Sequence, residues 1–484
     1  MAFPLSLGTA YVLYLYLSDR CVYGPDTCHI FRRAQELAYD GTFPLAGNPV
    51  IGNFRLGPLA DLLTAVPIWI TGRMEAAYVF LAFLYLTSIP IFYLAVRGWL
   101  NNDIRVFAAT TWFSFFPIYI AHLITPWNTS YLNVFLAIYA LILLRYPRGS
   151  RLLLLYGAIG LCIQCHFTCI TLIPASMIFL HTHRTDLSRN LPWHLGGMVL
   201  IGLLHLPLIW HYLNGPAGVF SYLTESVHGA LKFNWVILIA GLTAFPLAIA
   251  YPVVILSAFL LKSSKSTAMS LPRGKGRILS VSLPMVIMIA AMEARSSKIA
   301  FRYYYPLLPF VSLYTGYVAE KFVLHAKAAA KLTGTMMILV ITGFVIGTGF
   351  WASNLADISN KLEYQKWLAD KIFSWMRQHD WQGSTEIVHR TFGKATEGTP
   401  PYQFQMFNDD CIETMIRFRH RDEFRSRKKG KQLVVISIVE PKVPFGNPRS
   451  WVETVPGTIP ANCEDLGDYG DIGNLICPAE FDRQ

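Results

Sequence analysis

Residues 240–261 read AGLTAFPLAIAYPVVILSAFLL and residues 332–354 read LTGTMMILVITGFVIGTGFWASN; neither run holds a charged side chain. At ~1.5 Å of rise per residue, each helix would cross the ~30 Å hydrocarbon core of a bilayer. The rest of the chain agrees with them. Of its 484 residues 53% are hydrophobic and only 15% charged, with a mean hydropathy of +0.39. Soluble domains carry charge on about a quarter of their residues, so the depletion decides the class. The sequence describes an all-α polytopic membrane protein.

The net charge of +11 raises the question of a nucleic-acid partner, and the placement of the charge answers it. Basic residues gather in short gaps between apolar runs: Arg145, Arg148 and Arg151; Arg184 and Arg189; Lys262, Lys265, Arg273, Lys275 and Arg277; Lys321, Lys327 and Lys331. That is the pattern of cytoplasmic loops, not of a nucleic-acid surface. With those gaps inside, spans fall near 3–18, 75–97, 104–123, 129–145, 152–165, 167–181, 194–213, 234–261, 278–293, 303–320 and 332–352. About eleven spans put the N-terminus inside and the C-terminus outside. The first lacks a basic leader and a cleavage site, so it reads as a retained span, short enough that the true start is expected upstream of Met1. The pair around His166 is short and reads equally as a hairpin that does not fully cross.

Two stretches lie outside the membrane. The first outside loop, 19–74, carries a helical segment at His29–Tyr39 and an apolar segment from Gly57 to Thr71, expected as a second, interfacial helix. From 356 to 484 the composition shifts. Lys361 to Trp381 reads as an amphipathic helix and Gln432 to Val439 (QLVVISIV) as a buried strand, predicting a small α/β domain beyond the transmembrane part, 1–355.

The first loop then carries a sharper signal. It holds Asp26, then GTFPLAGN (41–48), then Leu56-Gly57-Pro58. Further on come PWNTS (126–130), CHFTCITLIPA (165–175) and FRYYYPLLPF (301–310). In this order the motifs resemble the C-type glycosyltransferases that use lipid-phosphate sugars, the superfamily of protein O-mannosyltransferases and lipid A aminoarabinose transferases. The resemblance covers about residues 1–320 and not the C-terminal domain. It implies a C-type fold, a polyprenyl-phosphate sugar donor, a lipid, glycan or protein acceptor, and a site on the periplasmic or exterior face of a bacterial inner membrane. A divalent cation, Mg or Mn, serves some members and not others.

Such a transfer needs a carboxylate to take a proton from the acceptor and cationic donors to hold the departing phosphate. Asp26 is the candidate base. The family usually has Asp-Glu here and this chain has Asp26-Thr27, so no role passes to a second acid. Asp26 reads equally as the N-cap of the helix that follows. Arg302, with Tyr303, is the phosphate candidate implied by the late motif, or else an interfacial anchor in an aromatic belt. Arg32 and Arg33 follow Asp26 on the same predicted helix, as does His29, and Arg55 precedes the second interfacial helix. Any of these is a substrate-binding candidate or a solvated charge. Trp127 and Asn128 sit at the same outer level; the Asn128-Thr129-Ser130 sequon there hugs the membrane surface and is discounted as a glycosylation site.

His166 completes Cys162-Ile163-Gln164-Cys165-His166, the spacing of a c-type haem attachment. The segment is embedded between apolar runs, where cysteines act as small hydrophobes, so His166 reads as a buried histidine or as a substrate-binding residue at the hairpin tip. No set of residues suggests structural zinc. Cys21–Cys28 and Cys463–Cys477 are the expected bridges if the outer compartment is oxidising. A transporter or lipid flippase without chemistry is the alternative function. Transporters place ionisable groups in broken helices at mid-membrane, whereas here the charges gather at the outer rim.

Overall fold

A computed structural model describes residues 2–17, 21, 23, 25–51, 54–100, 102–115, 123, 125–183, 187–214, 306–325, 362–379, 385–393, 403–404, 410–420, 431–439, 464–469 and 472–479. The expected spans 234–261, 278–293 and 332–352 lie outside these residues, as do Arg302 and Tyr303. The chain divides into two compact units. One takes 1–14, 43–63 and 79–352; the other takes 15–42, 64–78 and 353–484. Each is described by itself.

The first unit is a helical bundle. Its described helices are α1 (Ala2–Leu17), most of which lies here, then, beyond the first loop, α4 (Glu75–Arg97), α5 (Asp103–Ser114), α6 (Leu132–Leu143), α7 (Arg151–Cys165), α8 (Leu172–Thr182), α9 (Leu187–Leu204), α10 (Leu206–Asn214) and α11 (Leu308–His325). The loop between supplies α2 (Pro25–Asp40) and the first four residues of α4 to the second unit, and α3 (Leu59–Thr71) is divided between the two. By length and apolarity α4 is the described helix able to cross a bilayer alone, and α9 with α10, bent by 58° at their break, pass the same test together. The expected spans at 129–145, 152–165 and 167–181 correspond to shorter apolar helices. The last two are joined by a 3-10 turn, Phe167–Thr171.

Several of the buried polar side chains of this bundle bind helix to helix. Tyr85 Oη donates to the Ser114 carbonyl at 2.9 Å, joining α4 to α5. Asn133 Nδ2 donates to Ser88 Oγ at 2.8 Å, joining α6 to α4, and the Tyr139 and Ser176 hydroxyls meet at 3.0 Å, joining α6 to α8. In a dry interior each such bond holds a specific partner, because the alternative is an unpaired polar group. Phe92 stacks on Phe113 with ring centres 3.9 Å apart. Glycines set the closest crossings. A Cβ on Gly316 of α11 would stand 2.7 Å from the Arg105 carbonyl oxygen of α5, and one on Gly197 of α9 2.3 Å from the Tyr156 ring of α7. Leu191, Leu195, Met198, Val199, Leu203, Leu206, Ile209, Trp210 and Leu213 leave an apolar face of α9 and α10 exposed, as a lipid-facing surface would be.

In the second unit, α12 (Leu362–Gln378) and α13 (Asp410–Arg419) accompany a five-stranded sheet. Its strands are β3 (Thr385–Gly393), β4 (Gln403–Phe404), β5 (Lys431–Val439), β6 (Glu464–Tyr469) and β7 (Ile472–Ala479), in the order β4-β3-β5-β7-β6. β3 and β5 run parallel and the other pairs antiparallel. The apolar QLVVISIV stretch is β5, the central strand of the sheet, between β3 and β7. The core joins α12 and α13 to the first loop: Tyr23, Cys28 and Phe31 pack with Leu368, Ile372, Ile412 and Met415. At the surface Arg419 forks onto Asp370 with two bonds of 2.6 Å, and His420 Nε2 lies 2.9 Å from the same carboxylate.

Two expectations are corrected here. The loop helix α2 starts at Pro25, not His29, so residue 26 stands inside its first turn and is not its N-cap. Proline is favoured at the first helical position because its missing N–H would be unsatisfied there in any case. The Cys21–Cys28 bridge is also corrected. Cys28 is disulfide-bonded, but Cys21 is not. The helix turns Cys28 into the core beside Phe31, while Cys21 lies ahead of the helix with its carbonyl accepting from Leu362 N–H at 3.0 Å.

Candidate functional site

Candidate residues fall in both units. In the second, α2 buries Cys28, Phe31, Ala34 and Gln35. Positions 26, 29 and 33 recur at helical spacing on the other side, and His29 and Arg33 are half-buried. The side chain of Asp26 is outside the described residues. Its position is not: an acid in the first turn of a helix is favoured by the helix dipole. Arg32 lies 3.9 Å from Glu36, one turn on.

In the first unit the two quoted loop motifs form one hairpin. β1 (Pro49–Ile51) pairs with β2 (Phe54–Arg55), and the pairing continues through Gly47 N–H to the Leu56 carbonyl at 2.8 Å and Leu56 N–H to the Asn48 carbonyl at 3.0 Å. The two motif glycines face each other across it. A Cβ on Gly47 would stand 2.4 Å from the Gly57 carbonyl oxygen, and one on Gly57 2.7 Å from Gln164 Oε1. The G-T-F-P-L-x-G and L-G-P phrases therefore meet a packing requirement: two backbones and a glutamine side chain share one crossing.

Gln164 ties this hairpin to the rest. It is buried on the last turn of α7, and its Nε2 donates to the Leu204 carbonyl at 2.5 Å, where α9 breaks into α10. Arg55 is held by the helix beyond that break, its N–H donating to Tyr212 Oη near the end of α10 at 2.6 Å and its Nη1 to the Gly47 carbonyl at 3.4 Å. His166 follows Gln164 by two residues, buried, its Nδ1 2.7 Å from Thr168 Oγ1. The Cys162 and Cys165 of the haem-like motif are buried on α7 itself, on its last turn, with unbridged thiols. Of the expected residues, Arg55 and His166 are thus brought onto one framework.

Trp127 and Asn128 open the 3-10 turn Asn128–Tyr131. Ser130 fastens it, with its Oγ donating to the Thr125 carbonyl at 2.7 Å and accepting from Trp127 N–H at 3.3 Å. Asn128 is 2% exposed, and neither its Oδ1 nor its Nδ2 has a hydrogen-bond partner. A buried amide left in that state costs ~1–3 kcal/mol unless a ligand or water takes it up. Its burial also removes it as a glycosylation acceptor.

Sequence reading missed Gln164, Tyr212 and Asp61. Gln164 had a signal, being a polar residue inside an apolar run beside His166. Asp61 had one too: a carboxylate in the first turn of an apolar helix, here 1% exposed. Tyr212 had none. Among the described residues no group of three or more His, Cys, Asp or Glu is placed to hold a metal ion.

No family model matches the chain, and no curated protein matches it by sequence. Solved structures do. ArnT from Cupriavidus metallidurans bound to undecaprenyl phosphate superposes with a TM-score of 0.58 at 14% identity, over 98% of this chain and 97% of that one. The apo form of the same protein gives 0.55 at 13%, over 97% of each chain. Over nearly its whole length, this mostly helical chain has the fold of ArnT.

Proposed function

We propose that this protein is a membrane glycosyltransferase that moves a sugar from a polyprenyl-phosphate donor to an acceptor at the extracytoplasmic face. The observation that carries the reading is the likeness to ArnT across 98% of the chain, in a structure that holds undecaprenyl phosphate. The loop motifs add to it, since the glycines that pack the hairpin also place Arg55. In the proposed reaction Asp26 takes the proton from an acceptor hydroxyl or amine. The freed lone pair attacks the anomeric carbon, and the bond from that carbon to the phosphate oxygen breaks. Polyprenyl phosphate leaves with the bonding electrons.

Cations stabilise that leaving group, and Arg55 and Arg302 are the proposed donors, with His29, Arg32 and Arg33 near the base on α2. Asn128, whose buried amide lacks a partner, is proposed to bind hydroxyls of the sugar or acceptor together with Trp127, and His166 and Tyr303 complete the binding set. About eleven spans, with the first loop and residues 356–484 outside, complete the reading. A transporter or flippase is the second reading, favoured by the 58° break between α9 and α10, a feature common in transporters.

The two readings separate in one assay. Membranes containing the protein are supplied with a panel of radiolabelled polyprenyl-phosphate sugars, and both label in acceptor and free polyprenyl phosphate are measured. Protein-dependent appearance of both products supports the transferase. Movement of intact labelled donor between leaflets with no cleavage supports the transporter and removes the transferase.

A further inference from the structure

Arg145, Arg148 and Arg151 are exposed on the turn that leads from α6 into α7, and among the described residues no carboxylate pairs with them. Arg189, on the first turn of α9, is exposed as well. All four lie at one end of the bundle, because α7 and α9 run side by side in the same direction. Asn190 Oδ1 at the start of α9 accepts from Gly149 N–H, just ahead of α7, at 2.9 Å. Further along, His194 Nδ1 lies 2.8 Å from the Tyr156 hydroxyl, and at the far end Gln164 donates to the Leu204 carbonyl. The distribution of basic residues reads the arginine end as the cytoplasmic one. From residue 104 to residue 224 the chain holds six arginines against one carboxylate, Asp186, which is outside the described residues.

The turn that carries three of these arginines is braced at two points. Tyr146 has a left-handed backbone, φ +50°, which a non-glycine residue keeps only where its neighbours hold it. Trp99 Nε1 donates to its hydroxyl, its ring stacks on Phe179 with centres 6.0 Å apart, and the His183 ring lies 4.7 Å away. Gly149, also left-handed at φ +57°, is tied to the buried Asn190, and Trp193 Nε1 lies 3.9 Å from the place its Cβ would take. A braced turn loses little conformational freedom when a ligand settles on it.

Beside the arginines the same two helices expose apolar side chains. Leu154 on the first turn of α7 is 63% exposed, and Leu191 and Leu195 on α9 are 52% and 59% exposed. Cations next to an apolar strip suit a molecule with a phosphate at one end and hydrocarbon at the other. A soluble phosphate would engage the arginines and leave the strip without a role. We infer that this end of α7 and α9 binds an anionic phospholipid, its phosphodiester on Arg148 and Arg151 and its acyl chains along the exposed leucines. The site is separate from the first loop and does not depend on the proposed transferase.

Native mass spectrometry of the full-length protein in detergent, titrated with dioleoyl phosphatidylglycerol or dioleoyl phosphatidylcholine, tests the site. Wild type should bind phosphatidylglycerol in preference to phosphatidylcholine. Arg148→Ala/Arg151→Ala should weaken phosphatidylglycerol about 30-fold, the loss of two contacts between arginine and a headgroup phosphate. Arg73→Ala/Arg97→Ala removes the same charge from exposed arginines elsewhere and should leave binding unchanged. Equal weakening in the two double variants means bulk charge only, and equal binding of the two lipids means an apolar surface only; either result overturns the proposal. Displacement of the lipid by glycerol phosphate at matched concentration assigns the arginines to a soluble phosphate and overturns it too. A measurement on wild type guards against a variant that does not fold. Phenylglyoxal should modify Arg148 and Arg151 more slowly in nanodiscs of phosphatidylglycerol than in those of phosphatidylcholine, and the slowing should exceed that at Arg97. Equal slowing at all three, or none, overturns the site.

Discussion

Replacing Gly47 by alanine tests whether the quoted motifs are glycine-bearing for steric reasons. Gly47 does not adopt a left-handed backbone, so alanine suits its conformation; the obstacle is the new Cβ, 2.4 Å from the Gly57 carbonyl oxygen. That oxygen belongs to backbone and cannot rotate away as a side chain would. The hairpin has a cheaper way out, which bounds the cost. It opens, losing Gly47 N–H to the Leu56 carbonyl and Leu56 N–H to the Asn48 carbonyl. At about 1 kcal/mol net for each bond, the local penalty is ~2 kcal/mol. A 2 kcal/mol shift in a local opening equilibrium is roughly a 30-fold change, so amide hydrogens at Gly47 and Leu56 should exchange about 30-fold faster in Gly47→Ala. Hydrogen exchange with mass spectrometry on the detergent-solubilised protein reads this directly over residues 44–58. Gly202→Ala is the control, since a Cβ there meets nothing within 4 Å, and it should leave the same amides unchanged. Unchanged protection of the hairpin in Gly47→Ala would refute the packing account of the motif.

Three further outcomes follow from single contacts. Tyr212→Phe removes the acceptor of Arg55 N–H and should cost ~1–2 kcal/mol, seen as faster exchange at residues 54–55 while α4 stays protected. Gly197→Ala should lower thermal stability by ~1–3 kcal/mol because its Cβ meets the Tyr156 ring at 2.3 Å, whereas the adjacent Gly196→Ala meets only Leu153 at 3.5 Å and should be near neutral; equal losses would contradict the crossing described for α7 and α9. Partial burial raises the Asp370 carboxyl, but hydrogen bonds and charge from Arg419 and His420 outweigh it and hold it below its ordinary value. A carboxyl lowered by folding stabilises the folded state above its unfolded pKa, and that stability is lost as pH falls through the folded value. Asp370→Asn should therefore lose about 1 kcal/mol or less at neutral pH, given a pair more than a third exposed, and flatten the stability curve between neutral and acid pH.

The sequence carried the membrane class and several helix positions because long apolar runs leave a strong trace. The span read at 75–97 is α4 to the residue, bounded by Glu75 and Arg97 at its two ends. What it did not carry was short or depended on distant partners. The β1–β2 pairing involves strands of three and two residues, too brief for an alternating pattern. The sequence reads the start of α2 four residues late because proline marks loops as well as first helical positions, and Pro25 here is the latter. Proximity in sequence suggests Cys21 as the partner of Cys28, whereas Cys28 is bridged and not to Cys21. The motif glycines are legible in the sequence as a likeness to a family, while the reason for them, a crossing shared with Gln164, exists only once α7 and the hairpin are folded together. Arg55 was legible as a candidate, and the Tyr212 hydroxyl that fixes its backbone, 157 residues away, was not.

The most direct test of the central claim compares wild type with Asp26→Asn at equal expression, with turnover and donor binding measured separately. The account predicts that Asp26→Asn still binds a labelled polyprenyl-phosphate sugar, since the phosphate donors are intact, but forms at least ~100-fold less glycosylated acceptor and polyprenyl phosphate, the loss expected when a general base is removed. Equal product from both proteins would contradict it, removing Asp26 from the chemistry and with it the reading of the first loop as the catalytic one.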